Sequence, residues 1–190
     1  MRAGGAKRIF FSDFSSRGMQ LAHHETPDLQ EIARAVESWL IDELTLQEMK
    51  QRFPNLQVSE KAFEIEAGRG VEACWNELLS VADRGPTVSD WLAPGFPALV
   101  HAAASRPLLR QLVPVVSIGC YLSFSRTIGY PFARASACAI WAGDDRYCVV
   151  GPDQKVFGEG TVQEVLDILE GSLPPDIGPA IYGTADDLIA

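Results

Sequence analysis

The chain has 190 residues, of which 16 are basic and 25 acidic, so its formal net charge is -9 at pH 7 with neutral histidines. Hydrophobic residues make up 47% and charged residues 22%, which is typical of one ordinary soluble domain and excludes a disordered or fibrous chain. The excess of acid argues against nucleic acid as a partner, because duplex binding depends on Lys and Arg neutralising phosphates. No apolar run approaches the roughly 18 residues of a membrane span, so we expect no membrane association.

The four cysteines form no CxxC motif and lack zinc-finger spacing. Nothing at the N-terminus resembles a secretion signal, so we expect a cytoplasmic protein with reduced thiols. Cys138 and Cys148 flank a predicted hairpin, where a disulfide is geometrically conceivable. The favoured interpretation is two small buried residues.

The first 25 residues are weakly patterned, and a short strand at 9–11 is the candidate element there. Apolar residues recur at helical spacing over 29–40, and Pro27 marks the first position of this helix. Thr45 and Glu48 form a capping box that begins a short second helix. The pair has the length of a helix-turn-helix, but its acidic surface disfavours DNA binding.

The middle of the chain is predicted to be mainly helical. Apolar and acidic residues alternate over 57–66, which favours a half-buried strand slightly over a helix. Residues 71–82 carry the clearest stripe of 3.6-residue period and place Trp75 in the core. A loop at 85–96 leads to a further helix at 97–105.

The second half changes to a period of two. Small and hydroxyl-bearing residues alternate with apolar ones over 117–125, so we predict one strand with an apolar face and a hydroxyl face. Thr161 and Glu164 form another capping box before a last helix, and the tail 173–190 is predicted to be irregular. Further strands are predicted at 137–142, 146–150 and 155–157, which make an antiparallel meander.

These elements predict an α+β fold, in which a helical N-terminal half packs with a small antiparallel β-meander and a C-terminal helix. We expect a weakly ordered or short-strand segment at 1–25 and one compact domain over 26–190. The best candidate boundary within that domain is the loop at 85–96.

The sequence offers little support for a metal or a cofactor. The run His23-His24-Glu25 places adjacent side chains on opposite sides of an extended segment, and only His101 could add a third imidazole. GxGxxG, phosphate-loop, GxSxG and HExxH motifs are absent, so we predict neither a metal site nor a classical cofactor. No serine has an evident histidine partner, and whether the protein is an enzyme stays open.

The most chemically dense stretch runs from Arg106 to Arg134, which holds four arginines and hardly any acid. Arginine and hydroxyl side chains together bind carboxylate, phosphate or other polar groups, and Phe124 with Trp141 could supply apolar cover. The competing interpretation is that the arginines pair with Glu64, Glu66 or the acids of the tail, and that the serine face is the solvent-exposed side of a sheet. The candidate ligand-binding residues are Arg110, Ser117, Tyr121, Ser123, Arg126, Tyr130, Arg134 and Trp141.

This stretch resembles an uncharacterised actinobacterial (Streptomyces-type) family that is named for natural-product biosynthesis. The motifs that carry the resemblance are LRQLVP at 109–114, LSFSR at 122–126 and GYP at 129–131. Shorter similarities extend it from about Asp28 onward. The resemblance implies a biosynthetic setting but no catalytic residues. The family pattern has a histidine after Ser117, where this chain has Ile118.

Two functions follow as hypotheses. The first is a protein of natural-product biosynthesis that binds or tailors a small polar or anionic metabolite without a classical cofactor. The alternative is a non-catalytic accessory module that binds a pathway enzyme, a carrier or a peptide through its acidic helices or a strand edge, with an apolar patch near Trp39 and Trp91. A homodimer is compatible with either hypothesis.

Overall fold

The computed structural model describes residues 8–84, 92–117 and 121–189. The chain divides into two compact units, Met1–Gly68 and Arg69–Ala190, called here the N-terminal unit and the C-terminal unit. The sequence suggested one domain from residue 26, with its candidate boundary in the loop at 85–96, whereas this division lies earlier. Residues 85–91 of that loop lie outside the described ranges.

The N-terminal unit contains a small antiparallel sheet of order β1-β2-β3 and three helices. The two weakly patterned strands form a hairpin whose turn, Arg17-Gly18, has φ angles of 45° and 74°. This left-handed pair suits a two-residue hairpin turn, and Gly18 adopts it without the steric cost of a Cβ. The elements are β1 (Phe10–Ser16), β2 (Met19–Thr26), α1 (Leu29–Leu40), α2 (Leu46–Arg52), β3 (Gln57–Val58) and α3 (Glu60–Glu66).

Each helix of this unit begins directly after a residue whose side chain caps it. The predicted capping box is confirmed, since the Thr45 N–H donates to Glu48 Oε2 at 2.9 Å and the Glu48 N–H donates to Thr45 Oγ1 at 3.3 Å. Asp28, and not the residues before it, caps α1 by accepting from the Gln30 N–H at 2.9 Å. Pro27 therefore precedes the cap.

The strand predicted over 57–66 is wrong beyond its first two residues. Ser59 Oγ accepts a hydrogen bond from the Ala62 N–H at 3.1 Å and begins α3. Ala62 and Ile65, three residues apart, are the buried positions of this helix. Because a seven-residue helix shows only two apolar turns, its pattern resembles the alternation of a strand.

The C-terminal unit combines helices with a five-stranded antiparallel sheet. Its strands follow one another in chain order from β4 to β8, so the predicted meander and the α+β class are confirmed. No helix in the described ranges is long and apolar enough to cross a membrane. The elements are α4 (Gly70–Arg84), α5 (Phe96–Ala104), α6 (Pro107–Arg110), β4 (Val113–Ser117), β5 (Tyr121–Ser125), β6 (Cys138–Gly143), β7 (Arg146–Val150), β8 (Val156–Gly160), α7 (Val162–Gly171) and a short 3-10 helix (Ala185–Leu188).

The single strand predicted over 117–125 is instead an antiparallel pair. Ser117 pairs with Tyr121 and Val113 pairs with Ser125, so the chain reverses between β4 and β5. The four-residue separation of Ser117 and Tyr121 is even, so the alternation of faces continues across the reversal and hides it from a pattern of period two.

The core of the C-terminal unit lies between its helices and one face of the sheet. Trp75 of α4, Phe96 of α5 and Leu166 of α7 are fully buried together with Phe124 of β5. Two hydrogen bonds fix large side chains in this core. The Trp75 indole N–H donates to the Leu112 carbonyl at 2.9 Å, and the Tyr147 hydroxyl donates to the Gly95 carbonyl at 2.8 Å. The hydroxyl side chains predicted over 117–125 can therefore lie on the opposite face of the sheet.

Candidate functional site

The open face of the sheet, opposite the helical core, carries the hydroxyl row that the sequence predicted. Successive side chains of a strand point to opposite faces, and Leu122 on β5 lies in the core. Its neighbours Tyr121 and Ser123 therefore face the other way. The register places Ser117 opposite Tyr121, and Val115 opposite Ser123, on this same open face.

A cavity of about 170 Å³ lies on this open face, and we call it the sheet cavity. It brings together four of the predicted site residues, which are Ser117, Tyr121, Ser123 and Arg134. Its remaining wall comes from β4, from the segment before β6 and from the turn between β7 and β8. These residues are Val115, Ser136, Ala137, Cys138, Val150, Gly151, Pro152 and Gln154.

Arg134 supplies the charge of the sheet cavity. It is the only charged residue among the described residues that line the cavity. Its side chain is exposed and forms no ion pair within the described ranges, although the chain as a whole carries an excess of acid. The hydrogen-bond donors of a guanidinium without an ion pair can bind an anion.

The hydroxyl groups of the cavity are only partly committed to the protein. Ser123 is 6% exposed, and its Oγ reaches the Val115 carbonyl at 3.4 Å, which is long for a hydroxyl donor. Ser136 Oγ is held more firmly, because it donates to the Ala137 carbonyl at 2.8 Å and accepts from the Phe124 N–H at 3.1 Å. The Ser123 hydroxyl can therefore turn towards a ligand at little cost.

The thiols near the cavity are free. Cys138 lines the cavity and pairs across the sheet with Val150, while Cys148 pairs with Ile140, so the two cysteines are not cross-strand partners. Burial, and to a lesser extent the charge of Glu159, raises the pKa of the Cys148 thiol. Since both thiols are free, the disulfide considered from the sequence does not form.

Arg110 does not reach the sheet cavity, which corrects its predicted role. Its guanidinium donates to Glu72 Oε1 at 2.6 Å and lies 5.1 Å from the centroid of the Trp75 ring. Arg106 is committed as well, since it pairs with Asp167 at 2.8 Å and with Glu170 at 3.2 Å. Both arginines are therefore paired with acids, but these partners are not Glu64, Glu66 or the acids of the tail, which the sequence suggested.

The predicted aromatic cover is also wrong. Trp141 pairs with Tyr147 of the core, so it lies on the helical side of the sheet, where its indole packs directly over Gly95. Phe124 is fully buried on that same side. Neither aromatic ring contacts the open face, and the cavity is bounded instead by the turn at 151–154.

Arg126 and Tyr130 belong to a loop beside the sheet and do not line the cavity. The Arg126 N–H donates to the Ala133 carbonyl at 2.9 Å, and its own carbonyl accepts from the Ile181 N–H at 2.9 Å. Tyr130 is 70% exposed, with its ring 5.9 Å from that of Phe132 in an edge-on arrangement. The Arg126 guanidinium forms no ion pair within the described ranges.

Two fully buried hydroxyls hold this loop in place. Ser125 Oγ accepts from the Thr127 N–H at 3.0 Å and donates to the Thr127 carbonyl at 2.8 Å. Thr127 Oγ1 accepts from the Ala133 N–H at 2.9 Å. The backbone that leads to Arg134 is thereby fixed.

Several cavity residues escaped the sequence analysis because their positions depend on register. Gly151 and Pro152 lie between the predicted strands 146–150 and 155–157, but their approach to Cys138 follows only from the pairing of Cys138 with Val150. Ile118, where the resemblance led us to expect a histidine, and Trp91, near the predicted apolar patch, lie outside the described residues. Trp39 lies in the N-terminal unit, edge-on to Phe14 with ring centroids 5.8 Å apart.

The comparisons with known proteins concern mainly the C-terminal unit. The sequence profile described as "Family of unknown function (DUF6193)" matches residues 69–184, which is more than half of the chain and begins where the C-terminal unit begins. No curated protein and no solved structure matches the chain. The resemblance to an uncharacterised family is therefore confirmed, and the chain belongs to this family of unknown function, DUF6193.

Proposed function

We propose that the sheet cavity binds a small polar or anionic metabolite. The single observation that carries this proposal is the placement of Arg134, which has no acidic partner among the described residues, in one cavity with the hydroxyls of Ser117, Tyr121 and Ser123. An arginine can donate two parallel hydrogen bonds to a carboxylate or phosphate, and hydroxyls can donate to or accept from the rest of the ligand.

The size of the cavity limits the ligand. About 170 Å³ is well below the roughly 300–1,000 Å³ of a drug-sized or cofactor site. The cavity therefore holds a small acid, or the anionic end of a larger molecule. The proposal assigns the ligand contacts to protein side chains and includes no classical cofactor.

The proposed biological setting is natural-product biosynthesis, which rests on the resemblance to the actinobacterial family. A cytoplasmic location is proposed from the cysteine pattern and the N-terminal sequence. Whether the bound metabolite is also chemically altered is a separate question. The proposal assigns binding roles to Arg134 and the hydroxyls and no bond-making step.

The experiment compares Arg134→Gln with Arg126→Gln. Each variant removes one arginine without an ion pair in the described ranges, but only Arg134 lines the cavity. The wild-type protein is titrated with acetate, succinate and inorganic phosphate while amide chemical shifts are recorded by NMR. We expect a saturable response of β4 and β5 that Arg134→Gln weakens about tenfold and Arg126→Gln leaves within about twofold. Equal weakening by both variants, or no weakening by Arg134→Gln, would contradict the proposal.

A second candidate function is a non-catalytic module that binds a pathway enzyme, a carrier or a peptide. Its supporting observation is the edge strand β8, where Val156 is 58% and Phe157 is 50% exposed. An exposed strand edge can pair with a strand of a partner. Pull-down with the products of neighbouring genes, compared between the wild type and Val156→Lys, tests this alternative, and light scattering on the purified protein tests for a homodimer. A monomer that captures no such product would count against it.

A further inference from the structure

The N-terminal unit contains a second and larger cavity, which we call the hairpin groove. Its volume is about 640 Å³, within the roughly 300–1,000 Å³ range of small-molecule sites. The family match at 69–184 does not extend to it. It is lined by Gln20, Leu21, Ala22, His23, Lys50, Pro54, Asn55, Leu56, Gln57, Val58 and Ser59.

The imidazole in the wall of the groove is held in one orientation. Asp13 lies directly opposite His23 across the hairpin, and its Oδ1 is 2.7 Å from His23 Nδ1. The Gln20 amide donates to the same oxygen at 2.7 Å and fixes the carboxylate. Since a carboxylate oxygen accepts, this hydrogen bond assigns the proton of the neutral ring to Nδ1 and leaves Nε2 as a free acceptor.

The neighbouring histidine has a different environment. His24 points to the other face of β2, where its ring is fully buried and lies edge-on to Phe53 at a centroid distance of 5.9 Å. The two adjacent histidines, which the sequence analysis considered as metal ligands, therefore lie in different environments. His24 lies in the core, and His23 lines the groove. In the described ranges no three His, Cys, Asp or Glu side chains converge as metal ligands.

The groove also has a free cation. Among the described residues that line it, only Lys50 carries a full charge, and its ammonium forms no ion pair within the described ranges. The amides of Asn55 and Gln57 add donors and acceptors suited to hydroxyl groups, whereas the Gln20 amide is already bonded to Asp13. Ser59 is already committed, because its Oγ caps α3.

We infer that the hairpin groove is a second ligand site, specific for a phosphorylated polyol such as a sugar phosphate. Lys50 binds the phosphate, and Nε2 of His23, oriented by Asp13, accepts a hydrogen bond from a ligand hydroxyl. The inference is independent of the sheet cavity, since every residue that it uses lies in the N-terminal unit.

The test uses ribose 5-phosphate and inorganic phosphate as probes and histidine ring NMR as the readout. The chain has only three histidines, and His101, which pairs with Asp83 at 3.1 Å in the C-terminal unit, is an internal control. We expect ribose 5-phosphate to shift the His23 ring signals saturably at constant pH and to leave those of His101 unchanged. Inorganic phosphate should bind more weakly, because it offers no sugar hydroxyl to Nε2.

Two matched pairs of variants complete the test. Lys50→Met should weaken ribose 5-phosphate binding about tenfold, whereas Lys155→Met, which removes the same charge from the C-terminal unit, should change it less than about twofold. Asp13→Asn should weaken ribose 5-phosphate more than phosphate and alter the His23 ring nitrogen shifts, whereas Asp83→Asn should do neither.

Three results would overturn the inference. The first is the absence of a saturable His23 shift up to about 10 mM ribose 5-phosphate, a concentration at which even a site with a Kd of about 1 mM is largely occupied. The second is equal weakening by Lys50→Met and Lys155→Met, which would show attraction by net charge alone. The third is equal affinity for phosphate and ribose 5-phosphate, since the sugar would then add nothing.

Discussion

The two units fix the polar groups near their cavities in different ways. In the hairpin groove, the imidazole of His23 is fixed by side-chain partners, through Asp13 and Gln20. Near the sheet cavity, the fixed element is the backbone, because the buried hydroxyls of Ser125 and Thr127 bond to main-chain groups of the loop that leads to Arg134. The first arrangement fixes one side chain, and the second fixes the main chain that leads to the exposed Arg134.

The units also have separate hydrophobic cores. Among the described residues, the large cluster of buried residues has members from the C-terminal unit only, and these include Trp75 and Phe96. Met49 and Leu46 are fully buried in the N-terminal unit and are not members of that cluster. Because each core is local, we expect each unit to respond mainly to changes in its own residues.

The largest expected effect is that of Trp75→Ala. The indole is fully buried and hydrogen-bonded to the Leu112 carbonyl, so its removal should cost about 3–5 kcal/mol in the free energy of unfolding of the C-terminal unit. Hydrogen exchange followed by mass spectrometry should show faster exchange in 69–189 and unchanged protection in 8–68.

Met49→Ala is the reciprocal variant. It should cost about 2–5 kcal/mol and accelerate exchange in the N-terminal unit alone. If either variant destabilised both units to the same extent, the two cores would be energetically one, and the comparison between them would fail.

A smaller effect is expected from Gly95→Ala. A Cβ at this position would overlap the Trp141 indole, so the change should cost about 1–3 kcal/mol through overpacking. Gly171→Ala is the matched control, because no atom lies within 4 Å of its added Cβ. Urea unfolding of the two variants tests whether Trp141 lies on the helical side of the sheet. Equal midpoints would indicate that it does not.

The parts of the fold that sequence predicts well are those with local signals. Both Thr-x-x-Glu capping boxes form as expected, because the cap and its partner are three residues apart. The parts that sequence misses depend on distant partners. Arg110 is neutralised by Glu72, 38 positions earlier, and no local pattern could distinguish it from Arg134.

The candidate site was predicted only in part, again because some of its contacts depend on partners that are distant in the sequence. The alternation from Ser117 to Ser125 correctly grouped three hydroxyl side chains on one face, although the chain reverses within it. Trp141 was suggested as apolar cover for these hydroxyls but lies on the opposite face. The face of a strand relative to its neighbours depends on register, which alternation within one strand does not give.

The buried hydroxyls give a test of the rigid backbone beside the sheet cavity. Thr127→Val removes the acceptor of the Ala133 N–H and should cost about 1–3 kcal/mol, with faster exchange concentrated in 126–134. Ser105→Ala, which removes an exposed hydroxyl bonded to the Ala102 carbonyl, should change the free energy of unfolding by less than about 0.5 kcal/mol. Exchange that is unchanged in the loop would show that Thr127 does not fix it.

The smallest expected effect is a change in the free energy of unfolding at acid pH. It allows a comparison of the two capping boxes, one in each unit. Hydrogen bonds from the Thr45 backbone N–H and hydroxyl lower the pKa of Glu48, and those from Thr161 lower the pKa of Glu164 in the same way. A carboxyl whose pKa is lower in the folded state contributes stability above its unfolded pKa and loses that contribution as the pH falls through its folded pKa.

Glu48→Gln should therefore flatten the acid side of the pH–stability curve of the N-terminal unit, and Glu164→Gln that of the C-terminal unit. Both carboxylates are exposed, so the changes in urea midpoint between about pH 7 and pH 3 should be the smallest of this series. Hydrogen exchange in each unit, followed across this pH range, separates the two responses. A Glu164→Gln variant that changed the acid response of residues 8–68 as much as that of 69–189 would show that the two units share one cooperative transition.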